Sequence, residues 1–187
     1  LFDKNYNEKV PMASTTKIVT AITVIQNCDD LNKLIQVDDN AIGIEGTSIY
    51  LRKGEVISVK DLLYGLMLRS GNDAAITIAT YIAGSEEEFV NMMNNKAKAL
   101  GMNNTIFYNS SGLPTPHGNY SSCYDMAILT KYAMQYEVYR EIVSTKKYNN
   151  KKLLFSVFTF TLIINLFLIL IIIFGSKFIA VNLLKNI

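Results

Sequence analysis

Near the start of this chain of 187 residues, a serine stands three places ahead of a lysine, in Ser14-Thr15-Thr16-Lys17, and an apolar run follows. On a helix, positions three apart share a face, so the lysine amine can sit beside the serine hydroxyl. A serine hydroxyl is a weak nucleophile and needs an adjacent base. A lysine whose pKa is lowered by desolvation can be that base. The helix N-terminus adds backbone N–H groups and a positive dipole end near a developing oxyanion. The chemistry so assembled is acyl transfer through serine. Alone, S-x-x-K also fits a capped surface helix. A second element, Ser70-Gly71-Asn72, offers another hydroxyl for proton relay and an amide to orient Lys17 and a substrate. By itself it also fits an interhelical turn. The pair says more than either part: one opens a buried helix and the other interrupts helices further along.

The elements that must position these residues can be read from periodicity and capping. Leu1–Val10 reads as the end of a strand followed by a polar turn at Asp3, Lys4, Asn5 and Asn7. In Thr15–Gln26 the apolar residues Ile18, Val19, Ala21, Ile22, Val24 and Ile25 cover nearly the whole helical circumference, which predicts burial. Leu34–Val37 and Ser48–Leu51 read as short β-like pieces between turns at Gly43, Gly46 and Gly54. Ser58–Arg69 reads as a helix with Leu62, Leu63, Leu66 and Met67 on one face. A second helix, Asp73–Ala83, stops at Gly84. Ser85 and Glu88 form a capping-box pattern for a helix ending at Gly101. Asn103–Gly118 is loop-rich, and Ser122 with Asp125 caps a last amphipathic helix reaching about Tyr139.

Composition excludes several classes. A net charge of +2 leaves no basic patch for nucleic acid. Two distant cysteines, Cys28 and Cys123, make neither a metal nor a redox pair and are expected as free buried thiols. The single histidine, His117, sits in a Pro-rich turn, which argues against a zinc motif or a Ser-His-Asp triad and for a structural role. No cofactor and no metal are expected. Arg69 is expected in a structural ion pair, and Glu86–Glu88 as a helix start that needs no ligand.

The longer segments around the two motifs resemble a known family, the serine D-alanyl-D-alanine carboxypeptidases among the low-molecular-mass penicillin-binding proteins. Pro11–Lys17 resembles its nucleophile segment, and Val59–Ala75 resembles its second signature nearly throughout. Asn109-Ser110-Ser111-Gly112-Leu113-Pro114, Tyr124-Asp125-Met126-Ala127 and Ile142-Val143-Ser144-Thr145 are similar to its later segments, so the resemblance spans about Leu1–Asn149. A serine β-lactamase fits less well, because Gly71 stands where those enzymes usually carry Asp. The resemblance implies an α+β, β-lactamase/transpeptidase-like fold, here a helix-rich lobe with an incomplete antiparallel sheet. It implies Ser14 as nucleophile, Lys17 as base, Ser70 as relay and Asn72 as positioner. The backbone N–H of Ser14 would be half of an oxyanion hole. The implied partners are a peptidoglycan stem peptide ending in D-Ala-D-Ala and β-lactam antibiotics, at the extracytoplasmic face of the bacterial cell membrane.

The family's third signature, K-T-G on a strand beside the nucleophile, has no counterpart: no lysine after Asn72 is followed by Ser or Thr and then Gly. Activity is therefore expected to be impaired, and a non-catalytic, membrane-associated remnant is the alternative. Residues 1–150 read as a partial catalytic domain. Residues 151–187 read as a hydrophobic segment in which Leu153–Phe174 carries no charge and is long enough for a transmembrane helix. The chain begins with Leu1 and shows no signal peptide, as expected of a mature or truncated N-terminus. A natural membrane tether and a truncated or frame-shifted gene both fit the tail; the break inside the catalytic domain favours the second. Lys146, Lys147, Lys151 and Lys152 precede the apolar run, and the positive-inside rule would place that side in the cytoplasm, against the needs of a cell-wall enzyme.

Overall fold

Among residues 4–148, which the computed structural model describes, short strands alternate with helices in the order β1 (Val10–Pro11), α1 (Lys17–Asn27), β2 (Leu34–Gln36), β3 (Val56–Ser58), α2 (Val59–Arg69), α3 (Asn72–Ala83), α4 (Glu86–Ala99), β4 (Tyr120–Ser121), α5 (Cys123–Ala133) and α6 (Glu137–Ser144). All these elements belong to one compact unit, Leu1–Lys146.

Helix α1 packs against the other five helices. This is why its apolar residues run round the cylinder: Val19, Ala21, Ile22 and Val24 are all fully buried. Leu62, Leu63 and Leu66 of α2, Ile78 of α3 and Phe89 and Met93 of α4 complete the core around it. The strands pair as two small antiparallel ribbons. β1 lies on β4 with Val10 opposite Ser121, and β2 lies on β3 with the buried Ile35 opposite the buried Ile57. Among the described residues no sheet has more than two strands.

Side-chain caps set three of the helix starts. The hydroxyls of Ser58, Ser85 and Ser122 accept from the backbone N–H of Asp61, Glu88 and Asp125, satisfying one orphan donor each. Acidic first turns add dipole stabilisation, most strongly in α4 with Glu86, Glu87 and Glu88. Ser85→Ala is expected to cost about 1 kcal/mol of stability, measured as a lowered urea midpoint with an unchanged slope. An unchanged midpoint would show that the acidic turn suffices without the cap.

Several expectations need correction. The strand end expected before the polar turn lies outside the described residues; the turn occupies Asn5–Asn7, and the first described strand, Val10–Pro11, follows it. Ser48–Leu51 is no strand. Its backbone donors at Ile49 and Leu51 are taken by the Asp73 carboxylate, and Tyr50 has a φ of 62°. The last amphipathic helix breaks in two between Ala133 and Glu137. An uninterrupted helix would carry the buried stripe of Leu129 and Ala133 onto Glu137 and Arg140; the break resets the phase so that Tyr139 and Ile142 turn inward. Both cysteines are free, but neither is buried: Cys28 is half-buried and Cys123 exposed. Arg69 makes no ion pair among the described residues. The apolar run Leu153–Phe174 lies outside the described residues, among which no helix is long and apolar enough to cross a membrane.

Candidate active site

The nucleophile segment is a 3-10 turn, Ala13–Thr16, that runs directly into α1. Ser14 is exposed on this turn, while Lys17, one turn on, is 2% exposed. The tight turn points both side chains the same way, and the Lys17 amine lies 3.1 Å from the Ser14 hydroxyl. Two further acceptors hold the amine: Lys17 Nζ donates to Asn72 Oδ1 at 2.8 Å and to the Ser111 carbonyl at 2.6 Å. Burial lowers the Lys17 pKa from its ordinary value to about 8.

The direction of the lysine lone pair follows from this hydrogen bonding. A neutral amine has two N–H donors and one lone pair. Asn72 Nδ2 donates to the Glu45 carbonyl at 2.8 Å, so Oδ1 is the atom turned toward Lys17. Asn72 Oδ1 and Ser111 O can only accept, so they take the two N–H groups. The lone pair is left facing the Ser14 hydroxyl, which is the geometry of a general base.

Ser70 is the C-cap of α2 and sits in the left-handed region, with φ 55° and ψ 34°. A non-glycine residue there costs about 1 kcal/mol or more. The conformation turns the chain from α2 into α3 within two residues and directs Ser70 Oγ at Ser14 Oγ, to which it donates at 3.0 Å. Ser14, Lys17, Ser70 and Asn72, singled out from the sequence, thus converge on one point. Ser70 reaches Lys17 through Ser14.

Other contributors were not singled out as site residues. Ser111 acts through its backbone carbonyl, which no residue type advertises. Its loop is braced by Asn109 Oδ1, which accepts from the Gly112 N–H at 2.7 Å, and by Thr20 Oγ1, which donates to the Ser110 carbonyl at 2.6 Å. Gly112 has a φ of 86° and lies so near the nucleophile turn that a Cβ would stand 1.9 Å from the Ala13 carbonyl oxygen. Only glycine permits that approach. The resemblance of Asn109–Pro114 to a family loop was the available signal. His117 is stacked on Tyr108 with centroids 5.3 Å apart. Among the described residues no group of His, Cys, Asp and Glu could hold a metal ion.

Comparison with known proteins bears on the family and the fold. The profile of the D-alanyl-D-alanine carboxypeptidase family matches residues 1–165, further than the expected limit near Asn149. The D-alanyl-D-alanine carboxypeptidase DacF of Bacillus subtilis is 42% identical over 149 residues, covering 78% of this chain and 38% of that protein. DacC of Escherichia coli is 40% identical over 141 residues, covering 70% of this chain and 35% of that protein. The chain thus spans well under half the length of these relatives. Among solved structures, penicillin binding protein 6B of Escherichia coli superposes with a TM-score of 0.75 at 32% identity, covering 79% of this chain and 50% of that one. The Streptomyces K15 DD-transpeptidase gives 0.74 at 30% identity, covering 80% and 61%. The fold is therefore the helix-rich penicillin-binding and transpeptidase fold with small sheets, and the chain belongs to the D-alanyl-D-alanine carboxypeptidase family.

Proposed function

We propose that this chain carries the nucleophile side of a serine D-Ala-D-Ala carboxypeptidase site acting on peptidoglycan stem peptides. The observation that carries the reading is the buried Lys17 amine, held by two carbonyl acceptors and facing the exposed Ser14 hydroxyl at 3.1 Å. In the proposed reaction Ser14 Oγ attacks the carbonyl of the penultimate D-Ala as its proton passes to Lys17. The bond to the terminal D-Ala nitrogen then breaks as that nitrogen is protonated through Ser70. Water hydrolyses the acyl-serine, and Asn72 keeps the Lys17 lone pair on line. The Ser14 backbone N–H would donate to the oxyanion. A β-lactam amide would enter the same sequence and stop at the acyl-enzyme.

The 187 residues include no K-T-G segment. From these residues alone we expect slow turnover, since one missing oxyanion donor typically costs about 10²–10³ in rate. We take the described residues as the helix-rich lobe of an α+β fold whose antiparallel sheet is incomplete here. We place the substrate at the extracytoplasmic face of the cell membrane, with residues 1–150 as the catalytic part and the charge-free run Leu153–Phe174 as a transmembrane segment.

The test is to incubate the full chain with a fluorescent penicillin, resolve it on a denaturing gel and locate the adduct by mass spectrometry. Label on Ser14 that disappears in Ser14→Ala supports the reading. No label on the wild-type chain favours a non-catalytic remnant, a reading suggested by the absent K-T-G.

A further inference from the structure

Each of the two acceptors that fix Lys17 hangs on a loop, and each loop is tied down by a carboxylate in the first turn of a helix. Asn72 is held by the loop before β3: its backbone N–H donates to the Thr47 carbonyl at 2.8 Å and its side chain to the Glu45 carbonyl at 2.8 Å. That loop is anchored by Asp73, 1% exposed, which accepts from Ser48 Oγ at 2.5 Å and from the backbone N–H groups of Ile49 and Leu51, each at 3.0 Å. The N–H of Ala74, on its own helix, adds a fourth donor at 2.9 Å. On the other side, Glu86 Oε1 accepts from the Ser110 N–H at 2.9 Å and from Ser110 Oγ at 2.5 Å. The next residue, Ser111, supplies the carbonyl on Lys17.

We propose that Asp73 and Glu86 are positioning residues, which hold the Asn72 amide and the Ser111 carbonyl in place and thereby aim and shield the Lys17 amine. The inference deepens the functional reading given above and rests on it for its biological meaning. Neither carboxylate hydrogen-bonds Lys17, whose polar partners are Ser14, Asn72 and Ser111, none of them charged. The third carboxylate nearby, Glu45, is exposed and contributes its backbone carbonyl. Asp73 needs an acceptor-only group, whereas Glu86 meets both Ser110 donors with one oxygen. Four donors converge on Asp73, and an amide would set an NH₂ against at least one of them. A buried donor left without its acceptor is costly enough to release a short loop.

A charge role and a positioning role predict opposite signs. If Asp73 or Glu86 acted on Lys17 as a charge, neutralising it would lower the lysine pKa. If each acts by holding a loop, neutralising it admits water to Lys17 and raises the pKa toward the ordinary value of about 10.4. The experiment follows the Lys17 amine by NMR in the full chain labelled with ¹⁵N-lysine, through a pH titration, with the signal assigned by its loss in Lys17→Met. The expected wild-type midpoint is about 8. Asp73→Asn and Glu86→Ala are each expected to raise it by about one unit or more. Glu86 is only half-buried, so Glu86→Ala serves if Asp73→Asn does not fold. A folded variant whose midpoint stays put or falls overturns the proposal. Because the signal needs no turnover, this result is separate from the penicillin-labelling test of Ser14.

Discussion

Replacing Lys17 by methionine should lower the rate of Ser14 acylation by penicillin by about 10²–10⁴-fold, the usual contribution of a positioned general base. Methionine fills much of the lysine volume, so the core should hold while the amine is lost. The wild-type pH profile carries the same information. Only the neutral amine can take the Ser14 proton, and burial lowers the Lys17 pKa to about 8. The protonated, inactive form therefore dominates at low pH, and acylation should rise about tenfold per pH unit until it levels off near pH 8. At neutral pH about a tenth of the amine is ready, against less than about a thousandth for an ordinary lysine. Lys17→Met should flatten this profile as well as lower it. A profile that rises unchanged through the same range in Lys17→Met would assign the base to another group.

The second large effect is expected at Gly112. In Gly112→Ala the new Cβ would lie 1.9 Å from the Ala13 carbonyl oxygen and 2.5 Å from its carbon, in a backbone conformation of φ 86°. Neither neighbour is a side chain that can swing away, so the 109–114 loop must move off the nucleophile turn. The Ser111 carbonyl moves with it and Lys17 loses an acceptor. Displacement of about 1 Å at such a site costs about 10² in rate, and that is the expected loss of penicillin acylation. Gly43→Ala is the control: it has φ 71° but nothing within 4 Å of the added Cβ, so it meets backbone strain without the collision. Equal acylation by Gly112→Ala and Gly43→Ala would mean that the loop does not bear on the nucleophile.

The site was legible in the sequence where side-chain type carries the chemistry. Ser14, Lys17, Ser70 and Asn72 suggest by type the nucleophile, base, second hydroxyl and amide proposed above, and the structure brings their side chains together. What escaped was the part supplied by backbone: the Ser111 carbonyl on Lys17 and the Glu45 and Thr47 carbonyls on Asn72. Every residue has a carbonyl, so no spacing rule points to one. The same asymmetry governs the fold. Ser58, Ser85 and Ser122 mark helix starts because a cap is local chemistry. Ser48–Leu51 misleads because its alternation is real while its N–H groups are claimed by a carboxylate 22 to 24 residues away. The α5–α6 break was present as a phase shift in the apolar stripe between Ala133 and Tyr139, a signal smaller than the continuous amphipathic pattern around it.

The three partners of the Lys17 amine lie 3, 55 and 94 residues away along the chain. Helices capped by near neighbours can form early in folding, but this amine is enclosed only when segments of high contact order arrive together. Closing such loops carries an entropic cost that grows slowly with their length, about 0.6 kcal/mol per doubling. The reactive centre is therefore complete only once these distant segments have met. A chain with every helix in place but the 109–114 loop undocked would keep its helical spectrum, while its lysine returned to bulk basicity and its serine to that of an ordinary alcohol. If Ser14 is the nucleophile proposed above, its acylation is expected to require the closed tertiary framework.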